Sequence, residues 1–196
     1  MTSSLAACRN TYLLMRHGHS EANQQGRIVS SAARGLTGYG LSARGRRELE
    51  STLETWRWPL PDRVLHSDFL RTTQTAVRLA DHFSLQASPE PRLRERDFGE
   101  LEGQPDARYA EVWAEDARTP DQDFAGVEPV EWVAVRLLAV IRGLEQASMG
   151  ECLLLVSHGD PLQILLTALE GRGLGRHRDR TPLPPGGVAV WPPFRQ

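Results

Sequence analysis

Two short runs of apolar residues, Thr11–Met15 and Cys152–Val156, stand out from a chain that otherwise places its apolar positions three or four residues apart. Continuous apolar runs of this length predict strands buried on both faces, whereas spacing of three and four predicts helices with one face toward a core. Further strands are expected at Arg63–His66 and Gly186–Trp191. Helices are expected from Ser42 to about Trp56, over Leu70–Phe83, briefly around Tyr109–Trp113, over Glu128–Ala147 and over Pro161–Leu169. Glu128–Ala147 carries the clearest stripe, with Val130, Val133, Leu137, Leu138, Ile141 and Leu144 on one side. Pro89 to Gly103, mixing proline, glycine and charge, reads as an exposed loop; the arginine-rich segment Arg172–Arg180 reads as a solvated one. Strands alternating with helices predict an α/β fold, a three-layer α/β/α sandwich around a mostly parallel sheet, with residues 1–196 as one domain.

Composition narrows the chemistry. All 23 residues counted as Lys plus Arg are arginine. A chain without lysine offers no Schiff base and no P-loop or kinase lysine, but it retains the planar guanidinium fork suited to phosphate. With 25 acidic residues the net charge is −2, which gives no long-range field for nucleic acid or an anionic membrane. Neither partner is expected. Met1–Asn10 lacks the pattern of a secretory leader, and no stretch is long enough to span a bilayer, so a cytoplasmic location is expected. Cys8 and Cys152 are far apart and suggest two reduced thiols, not a metal or redox pair.

His17 and His158 each follow an expected strand and precede a glycine. In a parallel sheet both would sit at carboxyl ends, where ligands of open α/β sheets bind. The residues around them are recognisable. Arg16-His17-Gly18-His19-Ser20-Glu21-Ala22-Asn23 resembles the RHGxSxxN signature of the histidine phosphatase superfamily, which includes the cofactor-dependent phosphoglycerate mutases. Leu41-Ser42-Ala43-Arg44-Gly45 is similar to the family's LSxxG segment, and Ser67 to Ala76, with Arg71 inside it, to its SxxxRxxxTA segment. Leu93 to Gly103 resembles LxExxFGxxEG, and Ser157-His158-Gly159 the closing SHG. These motifs occur in the family's order across most of the chain.

The resemblance implies phosphoryl transfer through a phosphohistidine on His17, with Glu95 as proton donor and His158 as its catalytic companion. It implies that Arg16, Asn23, Arg71 and Gly159 hold the phosphoryl oxygens, with no metal and no cofactor. Glu100 and Glu102 are rival acids. His19, Ser20, Arg27 and Tyr39 are candidates for contacting the rest of the substrate, and Arg34 shares that loop. His66, His82 and His177 are left as structural or solvent histidines. The expected partner is a small-molecule phosphate monoester.

Mutases of the family carry a longer insertion with a lysine and an arginine pair that grip a second anionic group. Arg96–Ser157 is short and has neither, which favours a phosphatase. Phosphoglycerate mutase activity and a noncatalytic phospho-ligand binding module are the alternatives. Asp160, if it faced the pocket, would repel a highly anionic substrate. Exposed residues among Trp56, Trp58, Trp113, Trp132 and Trp191 are candidates for a homodimer interface.

Overall fold

The structure, a computed structural model, describes residues 8–192. The part of Met1–Asn10 before Cys8, read from sequence as lacking a secretory pattern, lies outside the described residues. Five strands form one sheet in the order β3-β2-β4-β1-β5, where β1 is Thr11–Arg16, β2 Arg63–His66, β3 Ala87–Pro89, β4 Cys152–Ser157 and β5 Val188–Trp191. All neighbouring pairs run parallel except β1 with β5.

Two helical layers cover the sheet, and the strands feed both. Tyr12, Leu14, Leu153 and Leu155 join the core beneath α6 (Val130–Ala147) and α7 (Gly159–Leu169). Leu13, Met15, Leu154 and Val156 join the opposite core beneath α3 (Ala43–Glu54) and α4 (Leu70–Phe83). Alternate residues of one unbroken apolar run therefore serve two cores, as side chains of successive strand residues point to opposite faces. Each fully buried leucine contributes about 1.5–3 kcal/mol, so the two central strands anchor the sandwich. Among the described residues no helix is long and apolar enough to cross a membrane.

The crossover after β1 runs over the α3/α4 face, and the one after β4 over the α6/α7 face. Between these adjacent parallel strands the connections part in opposite directions and leave a crevice at the carboxyl edge. Short helices α1 (Glu21–Gln25) and α2 (Ala32–Gly35), with α5 (Tyr109–Arg118), border that edge.

Several boundaries and two segment readings change. β3 was not expected. α6 starts at Val130, because Pro129 caps it and leaves Glu128 outside, and Leu138 is only half-buried. α7 starts two residues before Pro161, at Gly159, so its first turn follows His158 directly. β5 starts at Val188 and not at Gly186, whose φ of 75° is left-handed. Pro89–Gly103 is not simply an exposed loop: Leu93, Arg96, Phe98 and Leu101 are buried. Nor is Arg172–Arg180 a solvated loop. Leu174–Asp179 is a 3-10 helix with His177 fully buried. In each segment one arginine, Arg96 or Arg178, finds a buried carboxylate distant in the chain, which local composition does not reveal.

Candidate active site

Parallel register places the two histidines. Arg16 is paired with Ser157 across β1 and β4, so the next residue of each strand, His17 and His158, emerges beside the other. The backbone N–H of His17 donates to the Ser157 carbonyl at 3.0 Å, and the two rings meet edge to face with centroids 5.2 Å apart.

The loop after His17 is held by two glycines and a threonine. Gly18 N–H donates to Thr75 Oγ1 at 3.1 Å. Ser42 caps α3 by accepting from Gly45 N–H at 3.0 Å, and its own N–H donates to the His19 carbonyl at 3.0 Å. A Cβ on Gly45 would lie 1.9 Å from that carbonyl oxygen, so only glycine lets α3 abut the histidine loop. Thus the LSxxG and SxxxRxxxTA parts of the sequence, through Ser42, Gly45 and Thr75, act as supports of the His17 turn.

Hydrogen bonds assign the tautomer of His17. Nδ1 lies 2.7 Å from the Gly18 carbonyl, which can only accept, so Nδ1 carries the proton. Nε2 then presents its lone pair to Arg71 Nε–H at 3.0 Å. Burial first, then the charges of Arg71 and Arg16, holds this imidazole well below its ordinary pKa. His17 is therefore neutral with Nε2 as its basic atom. His158 is depressed in the same way, by burial and then by Arg71. Its Nδ1 accepts from Arg71 Nη2 at 2.9 Å, and its Nε2 lies 2.9 Å from Ser67 Oγ.

Arg71 is buried and also donates from Nη2 to the Val29 carbonyl at 3.0 Å. Its Nη1 and the Nε of Arg16 are buried donors without a protein partner. Such groups are costly to leave unpaired, and both border the cleft, where an oxyanion would satisfy them. Gly159 makes room for Arg16: a Cβ there would stand 3.3 Å from the guanidinium carbon.

Glu95 faces the same cleft. Its Oε2 is 3.7 Å from His158 Nδ1 and 3.8 Å from Arg71 Nη2, and its Oε1 accepts from Arg96 N–H at 3.0 Å. Burial outweighs the attraction of Arg71, and Asp160 adds repulsion, so the Glu95 carboxyl is pushed up to about 7. The rival acids lie elsewhere. Glu100 is exposed, and Glu102 accepts from Ser30 N–H, Ser30 Oγ–H and Ser31 N–H within 3.0 Å, tying down the neighbouring loop.

The cleft has a volume of about 210 Å³ and is lined by Arg16, His17, Ser20, Asn23, Arg71 and Gly159 among the expected residues. Arg27 lines it too, while donating to the Gly103 carbonyl at 2.8 Å. Asn23 Oδ1 is engaged by Ser20 N–H at 3.1 Å, which leaves its Nδ2 donor for a ligand. The other loop candidates are not brought in. His19 hydrogen-bonds Ser42 Oγ at 2.8 Å, Arg34 pairs with Glu102 at 3.8 Å, and Tyr39 lies outside the lining in a left-handed turn with φ 56°. His66 and His177 are buried structural residues.

The far wall was not legible in advance. Phe98, Tyr109, Trp113, Asp160, Gln163, Arg178 and Pro182 form it, and Ala22, Val29 and Asp106 also line the cleft. Burial and the nearby Glu95 carboxylate raise the Tyr109 phenol far above its ordinary pKa, so it stays a donor. Beneath the wall, fully buried Arg96 forks onto Asp116 at 2.6 and 2.8 Å and reaches Asp160 at 3.3 Å. Asp160 does face the cleft, yet it is a paired carboxylate. Early signals were Asp160 directly after the SHG segment, the polar composition of α5 and the Arg-His-Arg-Asp-Arg run of residues 176–180, none of which specifies a cleft.

Residues 12–190 match the profile of the histidine phosphatase superfamily (branch 1). The chain belongs to this superfamily. Among its relatives, the uncharacterized phosphatase PhoE of Bacillus subtilis is 27% identical over 161 residues, covering 81% of this chain and 76% of that one. The probable phosphoglycerate mutase GpmB of an Enterobacter species is 31% identical over 168 residues, covering 81% and 74%. Mycobacterial glucosyl-3-phosphoglycerate phosphatase Rv2419c superposes with a TM-score of 0.78 at 21% identity, over 92% of this chain and 88% of that one, which shows a common fold. Among the described residues of this superfamily member, no three His, Cys, Asp or Glu side chains converge as a metal-binding group.

Proposed function

We propose that the protein is a phosphomonoesterase working through a phosphohistidine. The observation that carries this reading is the neutral His17, with Nε2 unprotonated and two guanidiniums, buried Arg71 and half-buried Arg16, each holding a buried unpaired N–H donor at the same cleft. Nε2 attacks phosphorus in line, the bond from phosphorus to the ester oxygen breaks, and Glu95 gives that oxygen its proton. Nδ1–H to the Gly18 carbonyl supports the positive charge that develops on the ring. Charge on the equatorial oxygens meets Arg16 and Arg71, with Asn23 Nδ2 and the first turn of α7 at Gly159 as further donors.

In the second step the Glu95 carboxylate takes a proton from water as its oxygen attacks the phosphohistidine. Phosphate leaves, and His17 is neutral again. An acid with a pKa of about 7 serves both steps, since neither form is scarce near neutrality. His158 adapts to an arriving oxyanion. Its Nδ1 accepts from Arg71, so in the free site the imidazole proton sits on Nε2 and is donated to Ser67 Oγ, which can also accept or donate as the ring's charge changes.

The test is release of inorganic phosphate from a panel of monoesters in EDTA, with 2- and 3-phosphoglycerate interconversion measured in parallel because relatives named as mutases exist. Turnover lost in His17→Ala, together with acid-labile phosphoenzyme trapped only in the wild type, supports the reading. A protein that binds phosphate but turns over nothing in the panel is a binding module instead.

A further inference from the structure

We infer that the cleft accepts phosphate monoesters of uncharged alcohols and discriminates against alcohols bearing a second anion, with Asp160 as the specificity-determining residue. This deepens the phosphomonoesterase reading and rests on it for the orientation of the ester.

The cleft divides by charge. Around the histidines stand Arg16 and Arg71, whose two positive charges match the dianion of one phosphate monoester, while Glu95 contributes no charge when it acts as a proton donor. Beyond them, Arg178 and Arg96 each have a carboxylate beside them. Arg178 lies 3.6 Å over the Trp113 ring, bonds Gln163 Oε1, and places Nη1 3.4 Å from Asp160 Oδ1. Arg27 shares the rim with Asp106, which the Asp106 N–H to Gly26 carbonyl bond of 2.8 Å fixes beside the Arg27 turn. Behind the wall, Arg96 is matched by Asp116. Among the described residues the far wall thus holds no cation without a carboxylate partner, and Arg27, a rim cation outside any ion pair, spends its Nη1 on the Gly103 carbonyl.

Asp160 itself cannot turn away or escape its charge easily. It accepts from Trp113 Nε1–H at 3.1 Å and from Arg96 at 3.3 Å, and His177 Nε2 is 3.4 Å from Oδ1. These partners keep its carboxyl well below the usual range. A second anion on the alcohol would therefore meet a fixed negative charge that is itself buried, where Coulomb repulsion is weakly damped. Phe98, Tyr109 and Trp113 offer an uncharged alcohol apolar area, and the buried, unpaired Arg178 Nε–H offers it one donor.

The experiment compares 4-carbamoylphenyl phosphate with 4-carboxyphenyl phosphate, which differ by one charge at nearly the same shape. The wild type is expected to show kcat/KM at least tenfold higher for the amide, mostly through KM, with the gap narrowing as salt rises. Asp160→Asn should shrink that ratio at least fivefold, a comparison that cancels the intrinsic reactivities of the two esters. Equal or better use of the carboxylate ester by the wild type, or an unchanged ratio in a folded Asp160→Asn, overturns the inference. Should that variant not fold, the wild-type ratio and its salt dependence decide. If neither ester is hydrolysed, the phosphatase reading fails, and calorimetric binding of both esters to the wild type still tests the charge preference through the same tenfold criterion.

Discussion

Arg71 Nε–H points at His17 Nε2 from 3.0 Å, the atom from which an attack on phosphorus would come. The same guanidinium touches His158 and Val29, so one side chain fixes both imidazoles and still carries an unpaired Nη1 donor. Arg71→Met should lower kcat/KM by about a hundredfold to a thousandfold. Arg71→Lys should recover little of it, because an ammonium cannot make these divergent contacts from one plane. Phosphate-release kinetics, with inhibition by inorganic phosphate as a measure of binding, check both.

Glu95 must be protonated to act on a basic leaving group. With its carboxyl at about 7 in the free protein, kcat/KM for an alkyl monoester should decline above about pH 7, approaching tenfold per pH unit. Glu95→Gln should remove this limb and cost alkyl esters about a hundredfold or more, while nitrophenyl phosphate, whose leaving group needs less protonation, loses much less. Equal losses on both esters would show that Glu95 is not the acid.

Burial of neutral His17 makes stability depend on pH. Its folded pKa is depressed, so below the unfolded value of about 6.5 the unfolded chain takes up a proton that the native imidazole refuses. The contribution of His17 is steady above that pH and turns against folding as pH falls through it. Between pH 7 and 5, wild type should lose stability relative to His17→Asn in urea titrations. His158→Asn should behave alike, since that ring is depressed in the same direction.

The loop bearing Glu95 hangs on Arg136 of α6. Its Nη1 donates to the carbonyls of Arg92 and Arg94 at 2.7 and 2.9 Å, and its Nη2 to that of Glu95 at 3.1 Å, while Glu128 grips it at 2.8 Å. Arg136→Met should destabilise the fold by about 1–3 kcal/mol by leaving these groups unpaired. It should also slow alkyl esters more than nitrophenyl phosphate, the split expected of a misplaced acid; a purely structural loss would slow both alike.

Gly45→Ala sets two effects against each other. Helix propensity favours alanine by about 1 kcal/mol, but the new Cβ would lie 1.9 Å from the His19 carbonyl oxygen. The displacement of α3 or of the His17 loop should win, with a net loss of about 1–3 kcal/mol in a thermal or denaturant melt. A stabilised variant would contradict the docking role of this glycine.

Much of the scaffold was legible in one dimension. The apolar runs of β1 and β4 and the helical stripe of α6 report local periodicity, and each of these elements forms close to where its pattern lies. His17 and His158 were readable because a strand followed by His-Gly is a local signal at both sites. Other features depend on partners distant in the chain. Arg96 and the acidic residues near it look solvated until Asp116, Asp160 and Glu128 close around the guanidinium. Sequence alone left Glu95, Glu100 and Glu102 as rivals, since their difference is one of burial and direction.

The sequence by itself determined four of the five strands, the major helices, the two imidazoles and an all-arginine set of cations. Only the tertiary structure decided which carboxylate faces the cleft, and that Arg178 and Asp160 form its far wall. The reason is physical: element type follows from nearest-neighbour spacing along the chain, whereas the charge and accessibility of an ionisable group depend on everything packed around it in space.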